Sequence, residues 1–217
     1  MSEQAERICG IIFDLDGTLY VSPDFAATIQ DAAAAYVAAL KEISPDQASQ
    51  LMSRVRHLLA EESGAIPTLS AVCTRLGGNV RDLHTVFEAN LHPETYLTRD
   101  ERVVAMLNRL AQHTPLYLFT NNNRNLTTRI IDLLGLNGLF RCIYAIDDTW
   151  NAKPDEGMLD RILAEARLTP AEALFVGDRY DIDLRLPEQR GCPVYLSQSI
   201  EQLLRVEGVL GSVETHQ

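Results

Sequence analysis

Ile11-Ile12-Phe13-Asp14-Leu15-Asp16-Gly17-Thr18-Leu19 is an apolar run that ends in two aspartates two positions apart, followed by a glycine. Apolar runs bounded by a turn residue read as buried strands. In an extended chain, residues two apart point to the same side, so Asp14 and Asp16 can both face one site at the strand's carboxyl end. Two carboxylates that close repel each other, and neither has a basic neighbour in sequence. A divalent cation bound by hard oxygens is the natural compensation. The combination suits phosphoryl chemistry: one carboxylate attacks, the other shuttles a proton, and the metal offsets phosphate charge. Taken alone, the same run also reads as an Asp-Gly turn after a core strand, with both acids merely solvated.

The remaining positions bear on that choice. Chain length, 217 residues, suffices for one sizeable domain or a core with a small insertion. Hydrophobic residues make up 46%, ample for a packed core. A formal charge of −11 argues against a polyanion-binding surface, so neither a nucleic-acid polymer nor an anionic membrane is an expected partner. A small phosphorylated metabolite stays open, because local cations can overcome a distant negative field. The cysteines at 9, 73, 142 and 192 show no close pairing and no metal-ligand spacing. Cys9 and Cys142 lie in apolar runs, where buried thiols behave as small hydrophobes. The polar N-terminus, MSEQAERICG, lacks a signal-peptide pattern, and no apolar run approaches membrane-spanning length. A cytoplasmic protein is expected; its oligomeric state is not legible from composition.

Further strands are expected at Ile8 to Phe13, Leu116 to Phe119, Cys142 to Ile146, Ala173 to Val176 and Pro193 to Leu196. Helical patterns alternate with the later ones, over Arg99 to His113, Asn125 to Leu134 (ending at Gly135) and Asp155 to Arg167. Strands alternating with helices predict a parallel sheet covered on both faces. Residues 21–96 break this rhythm with helical stretches only: an alanine-rich Asp24 to Glu42, then Ser44-Pro45-Asp46-Gln47 as a capping box, then shorter stretches around Thr68 to Leu76 and Val80 to Leu91. The expected organisation is an α/β class, Rossmann-like three-layer parallel-sheet core over 1–20 and 97–217, with an inserted all-helical cap over 21–96. A peripheral elaboration is the alternative; insertion beside Asp14 and Asp16 favours a cap. The tail after Arg205 is small and polar, and reads as loosely held.

In an open parallel sheet, ligands bind outside the carboxyl ends of the strands. The run Leu116 to Phe119 terminates in Thr120-Asn121-Asn122-Asn123, where a hydroxyl and exposed amides can donate to a phosphoryl oxygen. Lys153-Pro154 follows the next strand, and a lysine there could neutralise the two carboxylates and the substrate's charge. The fourth strand ends in Val176-Gly177-Asp178-Arg179-Tyr180-Asp181-Ile182-Asp183, a second acidic cluster. Asp178 and Asp183 are the candidate ligands for a hard cation shared with the first motif; Asp181 is a candidate helix cap or a neighbour of the metal.

The order acid pair, threonine, lysine, acid cluster, each closing a strand, resembles the haloacid dehalogenase-like hydrolase superfamily over nearly the whole core. The resemblance implies that Asp14 is a nucleophile forming an aspartyl-phosphate and that Asp16 is the general acid/base. It further implies that Thr120 binds the phosphoryl group, that Lys153 stabilises charge, and that Asp178 and Asp183 hold Mg²⁺ with Asp14 and Asp16, the last through its backbone carbonyl. The helical insertion resembles that family's cap between the first and second motifs.

Asp16 bears on the reaction class. Halide leaves unprotonated, whereas an alkoxide leaving group needs a proton that Asp16 can supply before activating water. A Mg²⁺-dependent phosphomonoester hydrolase acting on a small phosphorylated metabolite is therefore expected. A phosphomutase with the same residues, or a non-catalytic phosphate-binding protein, is the alternative. The runs Asp16-Gly17-Thr18-Leu19-Tyr20 and Leu118-Phe119-Thr120-Asn121 resemble pyrimidine-5′-nucleotidase-like and phosphoglycolate-phosphatase-like relatives, which leaves a nucleoside monophosphate-like or phosphoglycolate-like substrate open. Thr120, Asn121, Lys153 and Arg124 are the candidate substrate-binding residues, with Arg179 also adjoining a motif. Arg54, Arg56, His57 and Arg75 could read a carboxylate or a second phosphate, though they read chiefly as solvated helix faces. Asp147 and Asp148 are expected to form a turn. Trp150, the single tryptophan, reads as packing against its loop or, more sharply, as a nucleobase stack.

Overall fold

A computed structural model of the chain describes residues 7–211. Readings that fall on 1–6 and on 212–217 lie outside the described residues. Among the described residues the sheet contains five strands: β1 (Gly10–Phe13), β2 (Leu116–Phe119), β3 (Phe140–Tyr144), β4 (Ala173–Gly177) and β5 (Val194–Leu196). They lie in the order β3-β2-β1-β4-β5, and every neighbouring pair is parallel. The central strand reads Gly-Ile-Ile-Phe and is buried at each position, as a strand covered on both faces must be.

The two-residue period of the strands divides the core between the faces of the sheet. Ile11, Phe13, Leu116, Leu118, Leu174 and Val176 join one apolar cluster. Ile12, Tyr117 and Phe175 join the other, packed on Met158, Leu159 and Ile162. Helices α1 (Pro23–Lys41), α2 (Pro45–Ser63), α3 (Leu69–Arg75) and α4 (Val80–Asn90) follow β1 without an intervening strand. Each starts with a side chain that accepts a backbone N–H: Ser22, Ser44, Thr68 and Asn79. The Ser44/Gln47 capping box forms in both directions, satisfying donors that would otherwise be orphaned at the helix start.

Helices α5 (Glu101–Ala111), α6 (Arg124–Leu134) and α7 (Glu156–Ala166) alternate with the remaining strands, and α6 ends at Gly135 in the left-handed region. The chain closes with α8 (Arg185–Gln189), α9 (Ile200–Leu203) and α10 (Val206–Gly211). The result is the expected Rossmann-like α/β architecture, a parallel sheet flanked by helices.

Three local expectations are corrected. β3 ends at Tyr144 instead of Ile146, because Asp148 Oδ2 accepts from Ala145 N–H at 3.0 Å and folds Ile146–Asp148 into a 3₁₀ turn. The start of the polar tail is held: Val206 is buried in the core, and Arg109 meets Glu207 through two hydrogen bonds of 2.9 and 2.7 Å. Cys9 and Cys142 are only half-buried, whereas Cys73 and Cys192 are buried, and all four are free thiols.

Candidate active site

β1, β2 and β4 run side by side and in the same direction, so their carboxyl ends meet. Asp14 follows β1 directly, and its N–H donates to Val176 O at 2.8 Å, which continues the pairing with β4 one step beyond the strand. Thr120 follows β2 and is held by Tyr144 O at 3.0 Å. After β4 the chain turns at Gly177 so closely around Asp183 that an added Cβ would lie 2.4 Å from the Asp183 Cβ. Gly17 has φ +82°, and a Cβ there would lie 2.4 Å from Asp178 Oδ2. Both positions need a residue without a side chain, one for backbone freedom and close approach, the other for close approach alone.

Lys153 reaches the centre of this arrangement. Its Nζ donates to Asp14 Oδ1 at 2.6 Å, Asp183 Oδ1 at 2.7 Å and Phe119 O at 2.9 Å, using the three donors of an ammonium. Its backbone N–H donates to Asn121 Oδ1 at 2.7 Å, which ties the lysine loop to the end of β2. Thr18 Oγ1 donates to Asp14 Oδ2 at 3.1 Å. Asp14, Asp178 and Asp183 present carboxylate oxygens within 4.8 Å of one another.

Asp16 lies beside this cluster with its carboxylate clamped from two sides. Tyr20 OH donates to Oδ1, and Asn122 Nδ2 donates to Oδ2 at 2.7 Å. The Asn122 N–H donates in turn to Thr120 Oγ1 at 3.1 Å. Thr18, Tyr20 and Asn122 are contacts that the motif reading does not supply. The signal for Tyr20 is its place four residues past Asp16 across a glycine turn; for Asn122 it is the side chain two beyond Thr120.

Electrostatics follow from crowding acids in a dry place. Burial pushes the Asp14 carboxyl up to about 7; Lys153 pulls it down, and Asp183, Asp16 and Asp178 add repulsion. Burial likewise raises Asp178 to about 6, opposed mainly by Arg179. Burial alone would lower the Lys153 ammonium, but Asp14 and Asp183 outweigh it and hold it above its ordinary value. Burial, and then Asp16, push the Tyr20 hydroxyl well above its usual range.

The donor set fits a hard divalent cation. Of the three clustered carboxylates Lys153 bonds only Asp14 and Asp183, and Asp178 Oδ1 is buried without a hydrogen-bond partner among the described residues. Oxygen-only ligands of this kind suit Mg²⁺. The Asp16 carboxylate, engaged by Tyr20 and Asn122, is not one of the three clustered groups. Asp181 instead pairs with Arg185 at 3.4 Å.

A cavity of about 350 Å³ opens beside the carboxylates, between the strand ends and the helices that follow β1. Asp16, Asn121, Asn122, Asp178 and Arg179 line it from the strand ends, and Phe25, Gln30 and His84 from the helices. Arg124 is not brought there: its guanidinium donates to Asp148 Oδ1 at 2.7 Å and Ile143 O at 3.1 Å. Asp147 and Asp148 do form the expected turn, and both receive Arg124. Arg75 pairs with Glu62, and Arg56 donates to Gln30 Oε1 at 2.9 Å. Trp150 lies under the Arg81 guanidinium, 5.1 Å from ring centroid to Cζ, and edge-on to His84.

The sequence compares with known proteins over the same span that carries these contacts. The family model described as haloacid dehalogenase-like hydrolase matches residues 8–188. The phosphoglycolate phosphatase of Yersinia pestis is 27% identical over 195 residues, covering 87% of this chain and 80% of the relative. The pyrophosphatase PpaX of Bacillus velezensis is 26% identical over 176 residues, covering 81% of this chain and 76% of the relative. Among solved structures, a HAD phosphatase from Thermococcus onnurineus shares the fold with a TM-score of 0.61 at 16% identity, over 94% of this chain and 98% of that one. The family match takes in Asp14, Asp16, Thr120, Lys153, Asp178 and Asp183 together, and by that match the chain belongs to the haloacid dehalogenase-like hydrolases.

Proposed function

We propose that the enzyme is a Mg²⁺-dependent phosphomonoesterase that acts on a small phosphorylated metabolite through an aspartyl-phosphate at Asp14. The observation that carries this reading is the pairing of two differently held carboxylates. Asp14 sits against Lys153 at 2.6 Å, while Asp16 is clamped by Tyr20 and Asn122 beside it. One is set to attack and the other to handle a proton. The phosphatase relatives named above support the same class.

Asp14 attacks phosphorus and the bond to the ester oxygen breaks. Asp16, as the acid, gives its proton to the departing alkoxide. Asp16, now a carboxylate, takes a proton from water as that water attacks the phosphorus of the aspartyl-phosphate. The bond to Asp14 then breaks, which releases orthophosphate and restores both side chains. Lys153 draws the Asp14 carboxyl toward its ionised, attacking form against the burial that raises it, and offsets phosphate charge. Thr120 and Asn121, at the end of β2, are assigned to the phosphoryl oxygens. A Mg²⁺ ion held by Asp14, Asp178, Asp183 and the Asp16 carbonyl would supply charge neutralisation to the phosphoryl group.

Residues 21–96 act in this reading as a cap over the site, and 1–20 with 97–217 as the catalytic core. Arg124 is assigned no substrate contact, given its engagement by Asp148. Among the described residues no helix is long and apolar enough to cross a membrane. A cytoplasmic setting and a diffusible metabolite fit the net charge of −11.

Release of phosphate from p-nitrophenyl phosphate tests the proposal, with Mg²⁺ or with EDTA, beside Asp14→Asn. Turnover should require Mg²⁺ and should fall by about 10³-fold or more in the variant. Undiminished release by Asp14→Asn would remove the covalent assignment. Transfer of phosphate to a sugar hydroxyl in preference to water would convert the reading to a mutase.

A further inference from the structure

Lys153 carries its ammonium on a loop that has few holds of its own. The loop leaves the Ile146–Asp148 turn and runs to α7. Trp150 N–H donates to Ile146 O at 2.5 Å, and Asn151 N–H donates to Thr149 Oγ1 at 3.2 Å. Both acceptors belong to the same segment, so neither bond fastens the loop to the sheet. Trp150 also has φ +63°. A bulky residue stays in the left-handed region only where surrounding contacts impose it.

Those contacts converge on Arg124, the first residue of α6. Its backbone N–H donates to Asp147 Oδ1 at 3.0 Å. From its guanidinium, Nη1 donates to Ile143 O at 3.1 Å and Nη2 to Asp148 Oδ1 at 2.7 Å. The other Asp148 oxygen accepts from Ala145 N–H at 3.0 Å, which closes the turn. One side chain thus fastens both the end of β3 and the turn after it to the start of α6. Ile146 N–H also donates to Asn122 O at 3.0 Å, but that bond lies at the turn's start, away from Asp148. Arg161, a second cation whose charge reaches Asp148, pairs with Glu165 at 2.7 Å.

The Arg124–Asp148 pair is partly open to water, the arginine side chain being 48% exposed. Such pairs add little to folding stability. What this one secures is placement. Lys153 Nζ meets three acceptors between 2.6 and 2.9 Å, and misplacing a group in an active site by about 1 Å can cost on the order of 10²-fold in rate.

Resting on the phosphatase reading, we infer that Arg124 is a positioning residue for Lys153. Through Asp148 it fixes the turn from which the lysine loop departs, and so sets the distance between the ammonium and Asp14. It acts without touching substrate.

Arg124→Met removes the guanidinium and keeps a residue that helices accept. On p-nitrophenyl phosphate with Mg²⁺, kcat should fall by about tenfold with KM within about twofold, the split expected when placement is lost and binding is not. In a Lys153→Met background the same change should cost less than about twofold, because its effect runs through the lysine. Trp150, the single tryptophan, stands in the loop and reports on it directly. Acrylamide should quench it more readily in Arg124→Met than in the parent. Arg124→Gln keeps a donor for Asp148 or Ile143 and should recover part of kcat and part of the protection from quenching; it serves if the methionine variant fails to fold. Parental kcat, a rise in KM at constant kcat, an undiminished loss in the Lys153→Met background, or unchanged quenching would each overturn the inference. Absence of phosphate release from the parent enzyme would overturn the phosphatase reading instead, and the quenching comparison would then decide the placement of the loop by itself.

Discussion

Lys153 Nζ and Asp14 Oδ1 stand 2.6 Å apart, with both side chains almost wholly withdrawn from solvent. The same ammonium reaches Asp183 at 2.7 Å. One positive charge therefore faces two carboxylates in a place where water cannot share the load. Removing it leaves buried charges uncompensated, a change that costs on the order of 3–5 kcal/mol in buried ion pairs. Lys153→Met should lower kcat by about 10²–10³-fold. Its thermal midpoint should also gain more from Mg²⁺ than the parent's does, since the cation would take over part of the missing charge. A variant with parental kcat, or one indifferent to Mg²⁺, would contradict this role.

Asp16 is held by Tyr20 and Asn122 on its two oxygens. If it donates to the leaving group and later activates water, its loss should matter less for a good leaving group in the first step than in the second. Asp16→Asn should release p-nitrophenolate in a burst approaching one equivalent and then stall. Stopped-flow absorbance would record it. A linear trace at a reduced rate would show that Asp16 does not serve the second step.

The clamp itself can be loosened without touching the carboxylate. Tyr20→Phe removes one donor and should lower kcat by about three- to tenfold with KM nearly unchanged, as expected when a positioning hydrogen bond is lost. A rise in KM at constant kcat would instead assign Tyr20 to substrate binding; it lines the cavity as well.

Gly17→Ala places a Cβ 2.4 Å from Asp178 Oδ2 at a φ of +82°. Either the backbone or the aspartate must move. The Mg²⁺ concentration giving half-maximal activity should rise by about tenfold, the smaller effect seen when groups supporting metal ligands are disturbed. Titration of activity with Mg²⁺ measures it, and an unchanged midpoint would exclude Asp178 from the metal site.

His84 also makes the fold sensitive to acid. Its folded value lies near 4 against an ordinary 6.5, so its contribution to stability is complete above about pH 6.5 and is lost as pH falls through 4. Between pH 8 and pH 5 the loss is about 2 kcal/mol. Asp14 and Asp178 act oppositely, since their raised values favour the folded state as pH falls. The difference between the parent and His84→Gln removes their share. The variant should lose less stability than the parent on going from pH 8 to pH 5, measured by thermal or urea denaturation; equal losses would place His84 in contact with water.

Much of this molecule can be read along the chain. β2 is expected at Leu116 to Phe119 and is found there, and the helices of residues 21–96 start within a residue or so of the expected positions. Gly135 closes α6 in the left-handed region as expected. These features depend on apolar periodicity and on side chains bonding backbone a few positions away. Where the local pattern misleads, the cause is a contact it does not contain. The apolar run through Ile146 hides the Asp148 side chain that ends β3 early. The polar tail hides the Arg109 partner, 98 residues distant, that holds Glu207.

Sequence alone determined the parallel sheet and the places of Asp14 and Thr120 directly after β1 and β2, because strand, turn and cap are local properties. Lys153, expected to close a strand, instead sits on the loop between the Ile146–Asp148 turn and α7, and Asp183 in the helical turn Tyr180–Leu184. Tertiary structure decided which of them meet. Lys153 finds Asp14 across 139 residues and Asp183 across 30. Asn122 finds Asp16 across 106. Arg124, adjacent to a motif in sequence, is drawn off to Asp148, and His84, unremarkable on its helix, is buried with neither ring nitrogen paired among the described residues. No periodicity encodes such pairings. They follow from which loops the sheet order brings together, and from which buried polar atoms then find, or lack, a partner.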